Sequence, residues 1–432
     1  MSKVFWQIAY NIIGLPILYI GFLVGFLFDE KIRRGIKGRK GLWMKLKNEL
    51  TSGKWLWFHI SSMGEFEQAK PIISTLRQQR KDLKILVTFF SPSGYESAVN
   101  YKSADVISYL PFDTLWNAKK ILKLVNPALL IFIKYDLWPN TIWQAKKMKI
   151  PMLLADGSLS HTKLNFLTKL FYKQIYSELN TICAILKEDE VIFKTIVNPQ
   201  TKILVTGDTR YDQVYRRLVK KEGFKAKEFF SDQSKIIVAG STWLKDEKIV
   251  LSAYKNLTDE FKDLILILVP HEPNFDRLTQ IKTIASKLAL SSIRWSDVEK
   301  AGRIDKAKLI IVDKIGILAN LYQLGDLTYV GGSFEHGVHN CLEPAVMSKP
   351  VFFGPKIDNS KEAKLLVERG GGFVVTTVED MIARMTQLLA NPGLLTKFSQ
   401  SAFELVKENL GATEKIIREI ENLEHTQISC KD

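Results

Sequence analysis

A glutamate lies where a predicted strand leads into a predicted helix, a position from which a carboxylate can act on a ligand. The stretch His59-Ile-Ser-Ser-Met-Gly-Glu-Phe-Glu-Gln-Ala-Lys-Pro71 overlaps the end of the apolar run Leu56–Ile60. This pattern predicts a buried strand, a short turn and a helix over Phe66–Arg80. Glu65, at the start of that helix, either matches the helix dipole or acts as a general base held over a cleft. The helix dipole would keep its carboxylate ionised near neutral pH.

A second group of residues has the pattern of a phosphate and sugar site. Gly331-Gly-Ser333 follows the apolar run Leu327–Val330, and Gly337-Val-His-Asn-Cys-Leu-Glu-Pro344 follows shortly after. Glycines let the backbone approach a ligand closely. Asn340 fits a helix N-cap and Glu343 the first helical turn, where free N–H groups favour a phosphate and a carboxylate can hold ribose hydroxyls. A simple capping box beside a glycine turn explains the stretch about as well.

Polar residues also follow other predicted strands, at the end of the sheet where ligands bind in open α/β folds. Histidines 271, 336 and 339 are interpreted as hydrogen-bonding residues of a cleft, because no carboxylate–histidine spacing supports a metal site. The polar stretches are Lys134-Tyr-Asp-Leu-Trp-Pro-Asn140, Asp156-Gly-Ser-Leu-Ser160, Gly240-Ser-Thr242 and Pro270-His-Glu-Pro273.

Short apolar runs separated by helix-like stretches predict parallel sheets covered on both faces. Two series of such runs predict an α/β protein with two doubly wound, Rossmann-like domains facing each other across a cleft. We expect a membrane anchor with a basic flank over residues 1–40, domains over residues 41–208 and 235–425, and a linker over residues 209–234. The runs are Leu56–Ile60, Lys84–Phe90, Ala128–Ile133, Met152–Ala155, Ile236–Ala239, Leu264–Val269, Leu309–Val312 and Leu327–Val330.

The N-terminal segment is apolar enough to enter a membrane. Val4–Phe28 contains no charged residue, and the strongly basic segment Asp29–Lys40 follows it. The length suits a hydrocarbon core, no cleavage site is evident, and the basic flank favours the cytoplasmic side and anionic headgroups. The pattern leaves open whether the segment spans the bilayer or lies in one leaflet. The alternative is a hydrophobic hairpin buried against another surface.

Composition narrows the class of protein further. The 432 residues carry a net charge of +15 with a pI of about 9.4, which favours an acidic partner such as nucleic acid, an anionic membrane or a phosphorylated substrate. Three widely spaced cysteines predict neither a disulfide framework nor a Cys-x-x-Cys metal site and fit a reducing compartment. No zinc-ligand spacing and no phosphate-binding P-loop motif appears.

Several motifs together resemble the 3-deoxy-D-manno-octulosonic acid (Kdo) transferases. They are HISSMGEFEQAKPII, DLWPN, ADGSLS, VTGDTRYD, AGST and GGSFEHGVHNCLEP followed by KPVFFGP. They run in order, with similar spacing, from the hydrophobic N-terminus to about Phe373. The glycine–serine block with HNxLEP and the S-x-G-E turn are the most specific of them.

The resemblance implies a membrane-associated GT-B glycosyltransferase of lipopolysaccharide biosynthesis. Such an enzyme moves Kdo from CMP-Kdo onto a lipid A precursor (lipid IVA), on the cytoplasmic face of the cell inner membrane. It does so with inversion and without a metal or other cofactor. Glu65 takes the place of the general base. The implied CMP-Kdo contacts are Ser241, Thr242, Pro270, His271, Gly331, Gly332, Ser333, His339, Asn340 and Glu343; weaker phosphate or acceptor contacts are Ser62, Gly64, Lys134, Asp136 and Arg210.

The sequence departs from the family pattern in four loops. An acidic residue and a threonine are replaced by Lys134 and Tyr135, and the family's arginine-containing proline loop reads Pro270-His-Glu-Pro273. Arg210 stands in place of a lysine, and Asp156-Gly-Ser158 in place of an Asn-Ala-Arg stretch. Altered acceptor contacts explain these changes better than a changed donor.

Two other functions are weighed against this one. Another GT-B transferase, using a UDP-sugar and a lipid acceptor, fits the same fold. A membrane-tethered nucleic-acid-binding protein is suggested only by the pI, because the lysines are spread along the chain and no recognised nucleic-acid-binding signature is present. We therefore expect CMP-Kdo, a lipid A precursor and an anionic membrane surface as partners, and no nucleic acid.

Overall fold

The chain forms two α/β units. The computed structural model describes residues 2–159, 165–219, 225–304 and 307–429. One unit comprises Met1–Gln213 with Leu410–Asp432, and the other comprises Val214–Asn409. Each is built on its own parallel sheet, so the prediction of two parallel α/β sheets is confirmed.

The N-terminal segment is helical and largely exposed. Lys3–Phe28 forms a continuous helical stretch whose most apolar window has a mean hydropathy of 2.1 and is only 6% buried. By length and composition it could cross a membrane, and its exposure disfavours the alternative of a buried hairpin. The Asp29 side chain accepts hydrogen bonds from the N–H groups of Lys31 and Ile32, which caps the next helix. The elements are α1 (Lys3–Ala9), a π-helical turn (Tyr10–Gly14), α2 (Leu15–Phe28), α3 (Glu30–Gly38) and α4 (Leu42–Glu49).

The first unit is built on a seven-stranded parallel sheet in the order β3-β2-β1-β4-β5-β6-β7. Its strands are β1 (Trp55–Ile60), β2 (Lys84–Phe89), β3 (Val106–Tyr109), β4 (Pro127–Ile133), β5 (Met152–Gly157), β6 (Thr181–Ala184) and β7 (Lys202–Val205). Its helices are α5 (Met63–Gln79), α6 (Pro92–Ala98), α7 (Leu115–Val125), α8 (Pro139–Lys147), α9 (Phe166–Tyr176), α10 (Lys187–Lys194) and α11 (Thr209–Val219), the last of which continues into the second unit.

Alternation along the central strand explains why this sheet is buried on both faces. Successive side chains of a strand point to opposite faces. Accordingly Trp55 and Trp57 pack in one core, while Leu56 and Phe58 pack in the other. All six residues of β1 are buried. The strand is therefore held rigidly, and it fixes the position of the turn that follows it.

The second unit repeats the architecture with the strand order β10-β11-β9-β8-β12-β13-β14, all parallel. Its strands are β8 (Lys235–Thr242), β9 (Leu264–Pro270), β10 (Ser292–Arg294), β11 (Leu309–Ile311), β12 (Leu327–Val330), β13 (Val351–Phe353) and β14 (Gly372–Val374). Its helices are α12 (Leu244–Glu260), α13 (Phe275–Lys287), α14 (Trp295–Ala301), α15 (Leu318–Leu321), α16 (Leu342–Val346), α17 (Lys361–Arg369), α18 (Val378–Ala390) and α19 (Pro392–Glu408). Two 3-10 turns complete it, Lys225–Phe229 and Tyr322–Leu324.

The domain boundaries in the structure differ from the expected ones at two places. The last helix, α20 (Ala412–Ser429), belongs to the first unit, because Ile416, Ile417 and Ile420 pack in the core beside β1. The second unit therefore ends near residue 409 instead of 425. The expected linker over residues 209–234 contains α11 and the first 3-10 turn, while residues 220–224 lie outside the described part of the chain.

Candidate active site

Glu65 lies in the first turn of α5, at the carboxyl end of the central strand β1. Its carboxylate Oε2 accepts hydrogen bonds from the backbone N–H of Ser61 at 2.6 Å and from that of Ser62 at 3.3 Å. The second bond is one half of a capping box, in which the third helical residue satisfies the N-cap N–H. Glu65 is only 4% exposed, whereas Gly64 beside it is exposed. The turn holds the carboxylate in one position at the edge of the sheet.

The expectation that the helix dipole keeps Glu65 ionised near neutral pH leaves out the opposing effect of burial. Burial raises the pKa of Glu65 to about 7, and the negative charge of Asp136 adds to the increase. Hydrogen bonds from Ser61 and Ser62 and the charge of Lys134 lower the pKa but do not cancel the effect of burial. A carboxyl group with a pKa near 7 is suited to accept a proton at physiological pH.

Asp136 in the loop after β4 is held by a buried histidine. His59 Nε2 lies 3.0 Å from Asp136 Oδ2, and its Nδ1 lies 3.1 Å from the Thr88 hydroxyl. Trp138 Nε1 donates to the same carboxylate oxygen at 3.2 Å. Burial opposes the charge of Asp136, but the hydrogen bonds, chiefly from His59, outweigh it and hold the pKa of the carboxyl below its usual range. Asp136 is therefore an anion that stabilises the protonated form of Glu65.

The divergent residues before Asp136 lie at the rim of the same region. Lys134 has a φ of +68°, which is uncommon for a residue other than glycine and is typical of functional loops. Its ammonium nitrogen lies 5.3 Å from the centre of the Tyr135 ring, and Tyr135 is 49% exposed. This loop presents a cation and an aromatic ring where the family pattern has an acidic residue and a threonine.

Arg210 lies near α5 but is engaged within the unit. Its guanidinium and backbone N–H donate to the Asp208 carboxylate, which also accepts from Gln68 of α5 at 3.2 Å. Thr209, between them, donates to the fully buried Asp156 and to the Gln68 carbonyl. Arg210 thus orients a network behind α5, and its side chain is one-third exposed.

In the second unit, a glycine turn follows β12 as expected. A side chain at Gly331 would place its Cβ 2.4 Å from the Ser241 carbonyl oxygen, so the two loops approach as closely as glycine allows. Gly332 has a φ of +96°, and Ser241 has a φ of +53°. The predicted residues Ser241, Gly331 and Gly332 therefore come together at the carboxyl ends of adjacent strands β8 and β12.

Asp246, which the sequence analysis missed, positions this turn. It lies in the first turn of α12, is fully buried and accepts three hydrogen bonds. The donors are the backbone N–H of Gly332 at 2.9 Å, the backbone N–H of Trp243 at 2.8 Å and the Tyr329 hydroxyl at 2.6 Å. A carboxylate four residues beyond the end of β8 was a visible helix-start signal, but its partners Tyr329 and Gly332, more than 80 residues away, were not.

Four aromatic rings form a cluster beside the glycine turn. Trp243 stacks on His271 with 4.8 Å between ring centres, and His271 stacks on His339 at 4.6 Å. Trp243 Nε1 also donates to His339 Nε2 at 2.9 Å, and His336 meets the Trp243 ring edge-on. Burial, together with the charges of the other two histidines, lowers the pKa of His339 to about 4, so its ring is neutral at pH 7. The three histidines expected to hydrogen-bond pack against a tryptophan that was not singled out, and His339 also accepts a hydrogen bond from it.

Glu343 lies in the first turn of a helix, as expected, but the N-cap of that helix is Cys341 instead of Asn340. The helix α16 begins at Leu342 with Cys341 as its N-cap and has only five residues. Asn340 accepts from the Leu342 N–H at 3.1 Å and is itself exposed. Glu343 forms an ion pair with Arg217 at 3.0 Å, because that arginine faces it from α11. The alternative interpretation, a capping box, is not formed, because Glu343 is the second residue after the N-cap and a capping box requires the third.

The remaining expected residues make structural contacts around the glycine turn. Ser333 is buried and its hydroxyl accepts from the Gly354 N–H at 2.6 Å. Thr242 donates to Glu247 at 3.2 Å, and Glu247 pairs with Arg277 at 2.8 Å. Pro270 ends β9 opposite Thr242. Within the described ranges, no group of three or more His, Cys, Asp or Glu residues is arranged to hold a metal ion.

Comparison with known proteins identifies the family to which the chain is similar. A family model described as 3-deoxy-D-manno-octulosonic-acid transferase matches residues 34–213. Curated 3-deoxy-D-manno-octulosonic acid transferases are similar over most of the chain. The one from Haemophilus influenzae is 28% identical over 84% of this chain and 85% of its own length. The one from Aquifex aeolicus is 29% identical over 78% of this chain and 86% of its own length. The chain belongs to the Kdo transferase family. It is therefore a glycosyltransferase.

Solved structures show that this Kdo transferase has a GT-B fold. A UDP-GlcNAc 2-epimerase from Neisseria meningitidis is similar with a TM-score of 0.61 and 17% identity, over 85% of this chain and 99% of that one. A glycosyltransferase from Rickettsia africae gives a TM-score of 0.59 at 13% identity, over 86% and 99%. MurG from Acinetobacter baumannii gives 0.53 at 14% identity, over 86% and 100%.

Proposed function

We propose that the chain transfers Kdo from CMP-Kdo to a hydroxyl of a lipid A precursor at the cytoplasmic face of the inner membrane, in lipopolysaccharide biosynthesis. Membership of the Kdo transferase family supports the transferred sugar and its nucleotide donor. The observation that carries the mechanism is the buried Glu65 carboxyl, held at the end of β1 with a pKa near 7.

The reaction forms one bond and breaks one. The acceptor oxygen attacks the anomeric carbon of Kdo while the bond from that carbon to the CMP phosphate oxygen breaks. Glu65 takes the hydroxyl proton, and CMP leaves with the bonding electrons. A single base suffices for a displacement with inversion, and no step requires a covalent enzyme intermediate or a metal.

We assign the donor to the second unit. The Gly331–Gly332 turn lies next to Ser241 at the carboxyl ends of β12 and β8, the end of a parallel sheet where nucleotides bind. Its own N–H groups are donated to the Gly240 carbonyl and to Asp246, so the turn shapes the site without supplying its hydrogen-bond donors. The exposed ring of His271, stacked on Trp243, offers an aromatic surface to the pyrimidine. Asn340 is exposed and can reach a sugar hydroxyl. Glu343 would bind ribose only by exchanging its ion pair with Arg217.

Nucleotide binding tests this assignment. We expect CMP to raise the thermal unfolding temperature of the full chain, because it binds the folded second unit and not the unfolded chain. UDP at the same concentration is expected to have a much smaller effect. Stronger stabilisation by UDP than by CMP would instead favour a transferase that uses a UDP-sugar.

The pH dependence of transfer tests the role of Glu65. Only the ionised carboxylate can take a proton, so kcat/KM is expected to rise with pH and to level off above about 7. Because the charge of Asp136 raises the pKa of Glu65, Asp136→Asn should move the rising limb to lower pH. Lys134→Met should move it to higher pH, because the lysine charge lowers that pKa. If the rising limb stays at the same pH in both variants, it reports the ionisation of a group other than Glu65.

A further inference from the structure

The N-terminal helix lies along the first unit over most of its length. Near its start, Trp6 packs on Phe171 of α9 with 5.4 Å between ring centres. Near its end, Phe22 packs on Phe90 and Phe112 at 5.7 and 5.4 Å. Residues 6 and 22 of a helix are separated by about 24 Å, at a rise of about 1.5 Å per residue.

Polar contacts between these points fix the helix to the unit. The Tyr10 hydroxyl donates to the fully buried Asp113 carboxylate at 3.0 Å. Asn11 and Asn140 exchange two side-chain hydrogen bonds at 2.9 and 3.0 Å. A helix held in this way cannot cross a hydrocarbon core of about 30 Å without drawing these polar groups into it. The helix is therefore suited to lie along the membrane surface, with its free face in the lipid.

The free face of the helix is apolar. Ile13, Ile17, Ile20 and Leu23 are each about 60% exposed or more. Because this face can enter the acyl region, the opposite face lies at the level where lipid tails meet the headgroups.

A cavity of about 410 Å³ opens between this helix and the loop that contains Asp136. Tyr10 and Leu18 of the helix form one wall, and Leu159, Phe171 and Tyr172 contribute apolar and aromatic surface. Its volume is within the range of about 300–1,000 Å³ that small-molecule sites occupy. The walls suit a hydrocarbon chain.

The charged end of the cavity is joined to Glu65. Lys134 and Asp136 lie in its lining, so a cation stands where an anionic headgroup would enter. The negative charge of Asp136 acts on the Glu65 carboxyl, which accepts a hydrogen bond from the Ser61 N–H. An apolar wall, a cation and the proposed base therefore follow one another within the first unit.

We propose that this cavity binds an acyl chain of the phosphorylated lipid acceptor, and that the N-terminal helix is one wall of the acceptor site as well as a membrane anchor. The proposal rests on the proposed function for the identity of the acceptor. The apolar tail lies against Leu18 and Phe171, the phosphate faces Lys134, and the reacting hydroxyl is directed towards Glu65.

A binding experiment tests the site without requiring catalysis. A long-chain alkyl phosphate bearing a diazirine in its chain is photolysed with the full-length protein in micelles, and the cross-linked peptides are identified by mass spectrometry. We expect cross-links in peptides containing Leu18 and Phe171. Leu18→Trp fills the cavity and should reduce their yield at least fivefold. Ile17→Trp is the matched control, because its side chain is 65% exposed on the free face and equally apolar. Equal yields in the two variants would overturn the proposal.

Measurements of turnover provide a second test of the acyl-chain site. In the same two variants, kcat/KM is compared for a tetra-acylated acceptor and for its fully deacylated counterpart. Leu18→Trp is expected to lower the ratio of the two values at least tenfold, whereas Ile17→Trp leaves it unchanged. An unchanged ratio in Leu18→Trp would overturn the acyl site. Absence of product from the wild-type protein with both acceptors would instead contradict the proposed function, and the cross-linking result would still decide whether the cavity binds an acyl chain.

Discussion

Replacing Glu65 by glutamine is expected to reduce Kdo transfer by a factor of about 10² or more, since general-base catalysis typically contributes that much. Glutamine has nearly the same size and retains an oxygen that can accept from the Ser61 and Ser62 N–H groups. CMP affinity is expected to stay near the wild-type value. The measurement is single-turnover transfer from CMP-Kdo at pH 8, where wild-type Glu65 is mostly ionised. Near-normal turnover would remove Glu65 from the mechanism.

A stability measurement separates loss of the base from loss of the fold. The pKa of Glu65 is about 4.5 in the unfolded chain and about 7 in the folded one. The stability that this raised pKa gives is fully present below pH 4.5 and is lost as pH rises through 7. The loss amounts to about 3 kcal/mol at most. The Glu65→Gln variant has no carboxyl at this position and does not undergo this loss. Its stability relative to wild type should therefore increase between pH 5 and pH 8. Glu67→Gln is the matched control, because Glu67 lies two residues further along the same helix, is partly buried and pairs with Lys70.

Replacing Asp246 by asparagine is expected to lower the free energy of unfolding of the second unit by about 1–3 kcal/mol and to weaken CMP binding at least tenfold. Asparagine keeps the size of the side chain, but it has one acceptor oxygen where aspartate has two. At least one of the Gly332 N–H, the Trp243 N–H and the Tyr329 hydroxyl then loses its acceptor. A buried donor without an acceptor costs about 1–3 kcal/mol. Thermal unfolding and CMP titration measure the two effects.

A control for Asp246 lies on the same helix. Asp259 is mostly exposed and is paired only loosely, at 4.0 Å, with Lys255. Asp259→Asn should leave both stability and CMP affinity unchanged. If Asp246→Asn lowers stability but binds CMP normally, the aspartate supports the fold and does not position the donor turn.

The central strands were predictable because each is a continuous apolar run. The strands β1, β4, β8 and β9 are buried on both faces, so burial leaves a strong signal in the sequence. Six strands were missed because they are short, of three or four residues, and most lie at or next to a sheet edge with mixed composition. They are Val106–Tyr109, Thr181–Ala184, Lys202–Val205, Ser292–Arg294, Val351–Phe353 and Gly372–Val374.

The position of Glu65 was predictable, but its chemistry was not. A strand, a small-residue turn and a helix fix where the carboxyl lies. Its pKa depends on burial and on Asp136, and Asp136 depends on His59, which is 77 residues distant in the chain. In the second unit the glycine turn was evident, whereas the ion pair between Glu343 and Arg217 joins residues 126 apart. Local patterns indicate local geometry, and such long-range pairs become visible only in the folded chain.

The most direct test is incubation of the full-length protein with CMP-Kdo and a tetra-acylated lipid A precursor, with the product mass as the readout. We predict a product heavier than the acceptor by one or more Kdo residues, release of CMP in equal number, and a rate at least about 10²-fold lower with Glu65→Gln. An acceptor of unchanged mass with wild-type protein that binds CMP, or equal product from wild type and Glu65→Gln, would contradict it.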